Sequence, residues 1–143
     1  MRTQLASPLH ICYPLGNSST LVVITQRGIS MDILVRDRKL GAALADDVAC
    51  RRRFGTDMAK KIRLRVLALE AAESLGDFWP PLSGPERCHE LKADLAGTFS
   101  MDVKQPYRLL FKPAEESTED LDEKQRWHSI KAIDIVGIED THG

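Results

Sequence analysis

Apolar residues return every four positions between Asp37 and Arg53, at Leu40, Leu44 and Val48, with Ala43 and Ala49 widening the stripe. That period predicts one amphipathic helix over the whole span. Gly55 supplies a C-terminal cap, and Thr56 or Asp57 starts a second helix. The core face of this helix is Ile62, Val66, Leu69 and Ala72, which leaves Lys60, Lys61, Arg63 and Arg65 outside. The pair reads as an αα-hairpin with a basic outer surface. Ahead of it, Met31-Asp32-Ile33-Leu34-Val35 reads as an opening strand. Behind it, Gly76 to Pro85 contains Trp79-Pro80-Pro81 and Ser83-Gly84-Pro85, which cannot continue a helix and predict a long connection.

The pattern then changes to period two. Phe99, Met101 and Val103 alternate with Thr98, Ser100 and Asp102, which predicts a strand over Thr98 to Val103 with one buried and one wet side. A turn at Lys104-Gln105-Pro106 leads to a second strand, Tyr107 to Phe111. A last strand is expected at about Trp127 to Ile138. It is apolar on both faces at Ile130, Ala132, Ile133, Ile135, Val136 and Ile138, as suits a central strand covered by helices. Between Pro113 and Arg126 the sequence is acidic and poor in apolar residues, so a mobile loop is predicted at about 113–126. A strand, a helical hairpin and an antiparallel meander make an α+β fold.

Residues 1–30 differ from the rest, with Pro8, Pro14, Gly16 and Asn17-Ser18-Ser19-Thr20 and no helical period. They read as an N-terminal extension, either a non-native or flexible addition ahead of Met31 or a genuine arm in which Leu21 to Thr25 adds an edge strand. The domain proper is then 31–143. With 143 residues, of which 43% are hydrophobic, the chain can bury one core.

The formal net charge of -1 argues against nucleic-acid binding only as an average. Basic residues gather in Arg51-Arg52-Arg53 and around Lys60, Lys61 and Arg63, whereas acids gather in Glu115-Glu116, Glu119-Asp120 and Asp122-Glu123. The arginine run is either a solvated helix end or a contact for RNA phosphates. Cys12, Cys50 and Cys88 have no Cys-x-x-Cys spacing, so neither a disulfide framework nor a cysteine-rich zinc site is expected, and a reducing cytoplasm is the natural compartment. No apolar run approaches the roughly 18 to 20 residues that span a bilayer, so no membrane association is expected.

The candidate chemistry lies in the sheet. His89 and Lys92 stand three apart before the first strand of the meander, Arg108 lies in the second, and Asp140-Thr141-His142 follows the last. Histidine, lysine and arginine are the residue types that handle a phosphodiester. Their order, His89-Glu90-Leu91-Lys92-Ala93-Asp94, then Arg108-Leu109-Leu110-Phe111, then Asp140-Thr141-His142, resembles the small bacterial toxins of the RelE/ParE superfamily. It is most similar to their HigB-like "killer" branch, whose pattern is His-Pro-Leu-Lys-Gly-Asp, Arg-Leu-aromatic and Asp-Tyr-His.

The resemblance covers about Met31 to His142. It implies a RelE-like fold, with the N-terminal strand and αα-hairpin packed on a small antiparallel sheet. It also implies a ribosome-dependent mRNA endoribonuclease of a type II toxin–antitoxin module, which cleaves without metal or other cofactor and is held by a helix-turn-helix antitoxin. Such cleavage activates a 2′-hydroxyl, stabilises a dianionic phosphorane and protonates the departing 5′-oxygen. By resemblance His142 moves protons, and an imidazole with an unperturbed pKa of roughly 6.5 does so near neutrality. Lys92 and Arg108 supply positive charge, His89 is a second proton handler or phosphate contact, and Asp140 orients an imidazole. Arg51, Arg52, Arg53, Lys60, Lys61 and Arg63 are expected to meet ribosomal RNA.

The match departs from the family at three places. Thr141 replaces a tyrosine that can stack on a base. Glu90 replaces proline and puts a carboxylate beside His89, and Ala93 replaces glycine. These changes point to weaker cleavage or a shifted base preference. Two alternatives share the fold: a non-catalytic killer-suppression or antitoxin-partner protein, and a ParE-like gyrase inhibitor. A protein-binding inhibitor has no use for two proton-transfer groups, which disfavours the latter.

Overall fold

The computed structural model describes residues 11–12, 22–25, 30–116 and 119–140. Strands β1 (Ile11–Cys12), β2 (Val22–Thr25) and β3 (Asp32–Val35) come first, followed by helices α1 (Arg38–Ala45), α2 (Asp47–Phe54) and α3 (Thr56–Ala71). After a 3-10 turn at Leu75–Phe78 come β4 (His89–Glu90), β5 (Phe99–Asp102), β6 (Tyr107–Pro113), helix α4 (Glu123–Ser129) and β7 (Ala132–Asp140). Among the described residues the sheet runs β1-β2-β3-β7-β6-β5-β4. Of the two readings of the N-terminal segment, the strand at Leu21 to Thr25 is present as β2 (Val22–Thr25), antiparallel to β3, but it is not the edge, because β1 pairs outside it.

The sheet is mixed rather than antiparallel throughout, because β3 pairs parallel with β7. Parallel neighbours need a long crossover. Nearly the whole domain lies between these two strands, which meets that need.

Helices α1, α2 and α3 cover one face. Leu40, Leu44, Ile62, Val66 and Leu69 share a core with Ile33, Val35, Met101, Leu109, Phe111, Ile133 and Ile135. The single helix expected from Asp37 to Arg53 is broken in two at Asp46. Its backbone there is extended, and its carboxylate accepts from the N–H groups of Val48 and Ala49, so it caps a new helix. The break turns the apolar stripe: Val48 is 48% exposed, and Cys50 takes the buried place. Gly55 ends α2 with φ of 89°, where a residue with a Cβ would be strained.

The acidic segment after Pro113 is not all loop. Asp122 accepts from the N–H of Gln125, whose side chain accepts in return from the N–H of Asp122, and this capping box starts α4. Trp127, expected in a strand, is instead the buried residue of this helix. Its ring meets Phe99 edge-on at 5.4 Å and Trp79 at 5.2 Å.

Strand β7 owes its two-sided apolar pattern to a bulge. Leu110 pairs with Gly137 but Phe111 with Ile135, so Val136 is inserted and exposed. Ile133, Ile135 and Ile138 thereby all face the helices, and no helical cover on the second face is needed to explain them. The wet side expected of β5 is drier than its sequence suggests, since Thr98 and Ser100 are both buried.

Glu70 on α3 is only 2% exposed, and neither carboxylate oxygen has a hydrogen-bond partner among the described residues. Burial pushes its pKa up to about 7, with the Arg63 charge pulling it back. The folded chain thus holds a proton that the unfolded chain loses from about pH 4.5 upward. Stability should fall as pH rises from about 4.5 to about 7 and then level off, by at most ~3 kcal/mol. Denaturant midpoints across that range should show the slope in the natural chain and lose it in Glu70→Gln; an equal slope in both would assign it to other groups.

Candidate functional site

The strand register decides which groups meet. Asp102 on β5 stands opposite Arg108 on β6, and Arg108 opposite Glu139 on β7. Opposed residues of an antiparallel pair share a face. Their chain neighbours Met101, Leu109 and Ile138 point into the core, so Asp102, Arg108 and Glu139 form one row on the face away from the helices. The next useful row holds His89, Ser100, Leu110 and Gly137.

Asp102 is the hub of the first row. Its carboxylate lies 3.2 Å from Arg87 Nε and 3.6 Å from Arg108 Nε, and its carbonyl accepts from Arg65 Nε at 2.6 Å. The side chains of Arg108 and Asp102 are only 19% and 13% exposed. Arg65, expected to be outside the core with its basic neighbours, is thereby a clamp: it also donates to the carbonyl of Pro85 and ties α3 to the end of β5. Glu139 curls back over the sheet. A Cβ on Gly137 would stand 2.8 Å from Glu139 Oε2, so glycine leaves the room that this carboxylate occupies.

His89 is oriented by the main chain. Its Nδ1 lies 2.8 Å from the carbonyl of Arg87. A carbonyl only accepts, so Nδ1 carries the hydrogen and Nε2 keeps a lone pair when the ring is neutral. That is the state of a general base. With strands ~4.8 Å apart and ~3.4 Å per residue, the His89 and Arg108 Cα atoms stand about 12 Å apart on one face. The gap between the two side chains is on the scale of a nucleotide's backbone. Beneath them Ser100 is fully buried, and its hydroxyl has no partner among the described residues.

The remaining predicted site residues divide differently. Lys92 is exposed where β4 gives way to the turn at Ala93–Leu95, five residue levels from Arg108, roughly 17 Å along the strands. The fold therefore does not bring Lys92 and Arg108 onto one phosphate. Asp140 pairs with Tyr107 on the opposite face from His89 and Arg108, so the carboxylate on their face is that of Glu139. Alternation from Ile138, which faces the core, puts its next neighbour Glu139 on this face. His142 lies outside the described residues, as does Thr141.

Glu90 does not sit beside the His89 ring, because successive strand residues point to opposite faces. Its carboxylate accepts from Arg126 at 2.7 Å and from the N–H of Gly97 at 3.0 Å, which ties β4 to α4 and closes the turn after Lys92. Cys88 is buried, and its thiol is pushed up to about 12 by burial and then by the charge of Glu86, so it stays protonated and is no nucleophile.

The basic hairpin is split. Arg51 and Arg63 both pair with Asp47, whereas Arg52, Lys60 and Lys61 are exposed and Arg53 lies 5.1 Å above the ring of Phe54. Among the described residues no group of three or more His, Cys, Asp or Glu is placed to hold a metal ion. No helix among them is long and apolar enough to cross a membrane. Comparison of the chain with protein-family models, with curated proteins and with solved structures gave no match.

Proposed function

We propose that the chain is a HigB-like toxin with a RelE-like fold, which cleaves mRNA on the ribosome and acts in the cytoplasm under the control of a helix-turn-helix antitoxin. The observation that carries this reading is the placement of His89, its Nδ1 held by the carbonyl of Arg87 so that Nε2 is turned away from that bond, and Arg108 on the same face of the sheet. The order of strand, helical hairpin and antiparallel meander supports the fold assignment.

In the proposed step His89 Nε2 takes the proton of a 2′-hydroxyl, whose oxygen attacks the adjacent phosphorus. The bond to the 5′-oxygen breaks, and that oxygen takes a proton from a second acid, for which the resemblance supplies His142. The products are a 2′,3′-cyclic phosphate and a 5′-hydroxyl. Arg108, backed by Arg87, balances the charge that builds on the phosphorane.

Expression of the full chain in a bacterial host should arrest growth, and co-expression of its helix-turn-helix partner should restore it. The full chain is preferred to 31–143 because β2 extends the sheet from β3. Normal growth with soluble, folded protein would remove the toxin reading. It would leave the non-catalytic partner protein, which the carboxylate of Asp102 against Arg108 also suits.

A further inference from the structure

We propose that the cleft between the α2–α3 junction and the β5–β6 turn is a nucleobase pocket, in which the ring of Tyr107 stacks a base of the RNA strand whose phosphodiester lies over Arg108. The proposal rests on the function proposed above and adds to it the part of the protein that holds the substrate's base.

The cleft has a volume of about 340 Å³, within the roughly 300 to 1,000 Å³ of small-ligand sites. Tyr107 lines it and is 41% exposed, although it begins a strand whose next apolar residues are buried. Phe54 and Met58, both half-buried, supply the apolar wall, and Lys104 stands at the turn. An apolar slot with an exposed ring is what a base, which has a π-face whatever its identity, can use.

Charge selects the occupant. Lys104 lines the cleft, Arg53 lies 5.1 Å above the ring of Phe54 in its wall, and Arg52, Lys60 and Lys61 are exposed on the two helices that meet there. Lys104 is 3.5 Å from Asp57, but both are exposed, and such a pair contributes little. Cations around an aromatic slot fit a single-stranded nucleic acid better than an acidic or apolar protein segment, because they track a phosphate backbone while the ring takes the base.

Position ties the cleft to the proposed chemistry. Tyr107 and Arg108 are consecutive residues on opposite faces at the very end of β6, level with the ends of β5 and β7. A strand that wraps around this end of the sheet meets Tyr107 on one face and Arg108 on the other.

The test uses the full chain and a short 2′-O-methyl RNA carrying 2-aminopurine, which cannot be cleaved and whose fluorescence is quenched on stacking. Saturable quenching is expected, weakening with added salt. Tyr107→Phe should keep it, and Tyr107→Ala should weaken affinity about tenfold, within the range for loss of one stacked base, with the melting curves of both variants checked. No saturable quench, as for a cleft reserved for a protein segment, or equal affinity in Tyr107→Ala, overturns the pocket. Cleavage on translating ribosomes is measured separately with an all-ribose message. Cleavage with Tyr107-independent binding sinks the pocket and keeps the toxin; Tyr107-dependent binding without cleavage keeps the pocket and sinks the catalytic reading.

Discussion

Arg108→Ala is expected to lower mRNA cleavage on translating ribosomes by roughly 10²- to 10³-fold, the usual loss when one fixed donor to a transition-state charge is removed. The guanidinium is positioned from three sides. Asp102 lies against its Nε, Glu139 occupies the partner position on β7, and Arg65 anchors the Asp102 backbone through its carbonyl. Lysine keeps the charge but not the planar fork, so Arg108→Lys should recover only part of the activity. His89→Ala should cost a similar factor, and the double variant should be hardly worse than either single one, because groups that act as a unit are strongly non-additive. The full chain's His142→Ala belongs to the same set if it is the second acid. Thermal melts should shift little for His89→Ala, since the half-exposed ring is held, among the described residues, by a bond to a main-chain carbonyl. Full cleavage by Arg108→Ala would end the phosphodiester reading of this face.

Lys92→Ala is expected to behave differently. Sequence order alone groups His89, Lys92 and Arg108, but register separates Lys92 from Arg108 by five levels of a pleated strand. In the proposed reaction a charge that far from the phosphorane acts on a flanking phosphate or on nothing. Its loss belongs with binding rather than with the chemical step.

The parts of the fold written in local period were legible. Ile62, Val66 and Leu69 recur at helical spacing, and all are buried in α3; Phe99 and Met101 alternate, and both are buried in β5. What local period could not carry was a break in it. Asp46 caps a new helix in the middle of a stripe that continues on paper to Val48, and Val136 is inserted into a strand whose apolar residues then seem to face both ways. In each case one residue shifts the phase of everything after it.

The candidate site was legible in residue type but not in partnership. Arg108 and His89 stand out by chemistry, yet Asp102, Glu139 and Arg87 meet them only through pairing across strands. Asp140 belongs to the motif by sequence, but the pleat puts it on the other face. The capping box Asp122-Glu123-Lys124-Gln125 is a local signal inside the acidic segment, and it starts α4 where acidic composition alone predicts a loop.

Trp127→Ala should destabilise the chain by about 3 to 5 kcal/mol, the range for deleting a fully buried large aromatic. The ring closes a cluster in which Phe99 stacks on Phe111 at 5.8 Å and meets Trp127 edge-on, so the cavity would open against β5, beside the aromatic pair that links it to β6. The damage should also spread. Trp127 seats α4, Arg126 of that helix holds Glu90, and Glu90 closes the turn that follows His89 and Lys92. Trp127→Phe gives the contrast. The indole N–H is buried without a hydrogen-bond partner among the described residues, so phenylalanine gives up ring volume but no hydrogen bond, and removes a polar group that burial had made costly. Its loss should stay below ~1.5 kcal/mol. Denaturant melts followed by far-ultraviolet circular dichroism measure both variants. An alanine variant less than ~1 kcal/mol below the natural chain would show that α4 is held by its capping box and the Arg126–Glu90 pair rather than by the indole.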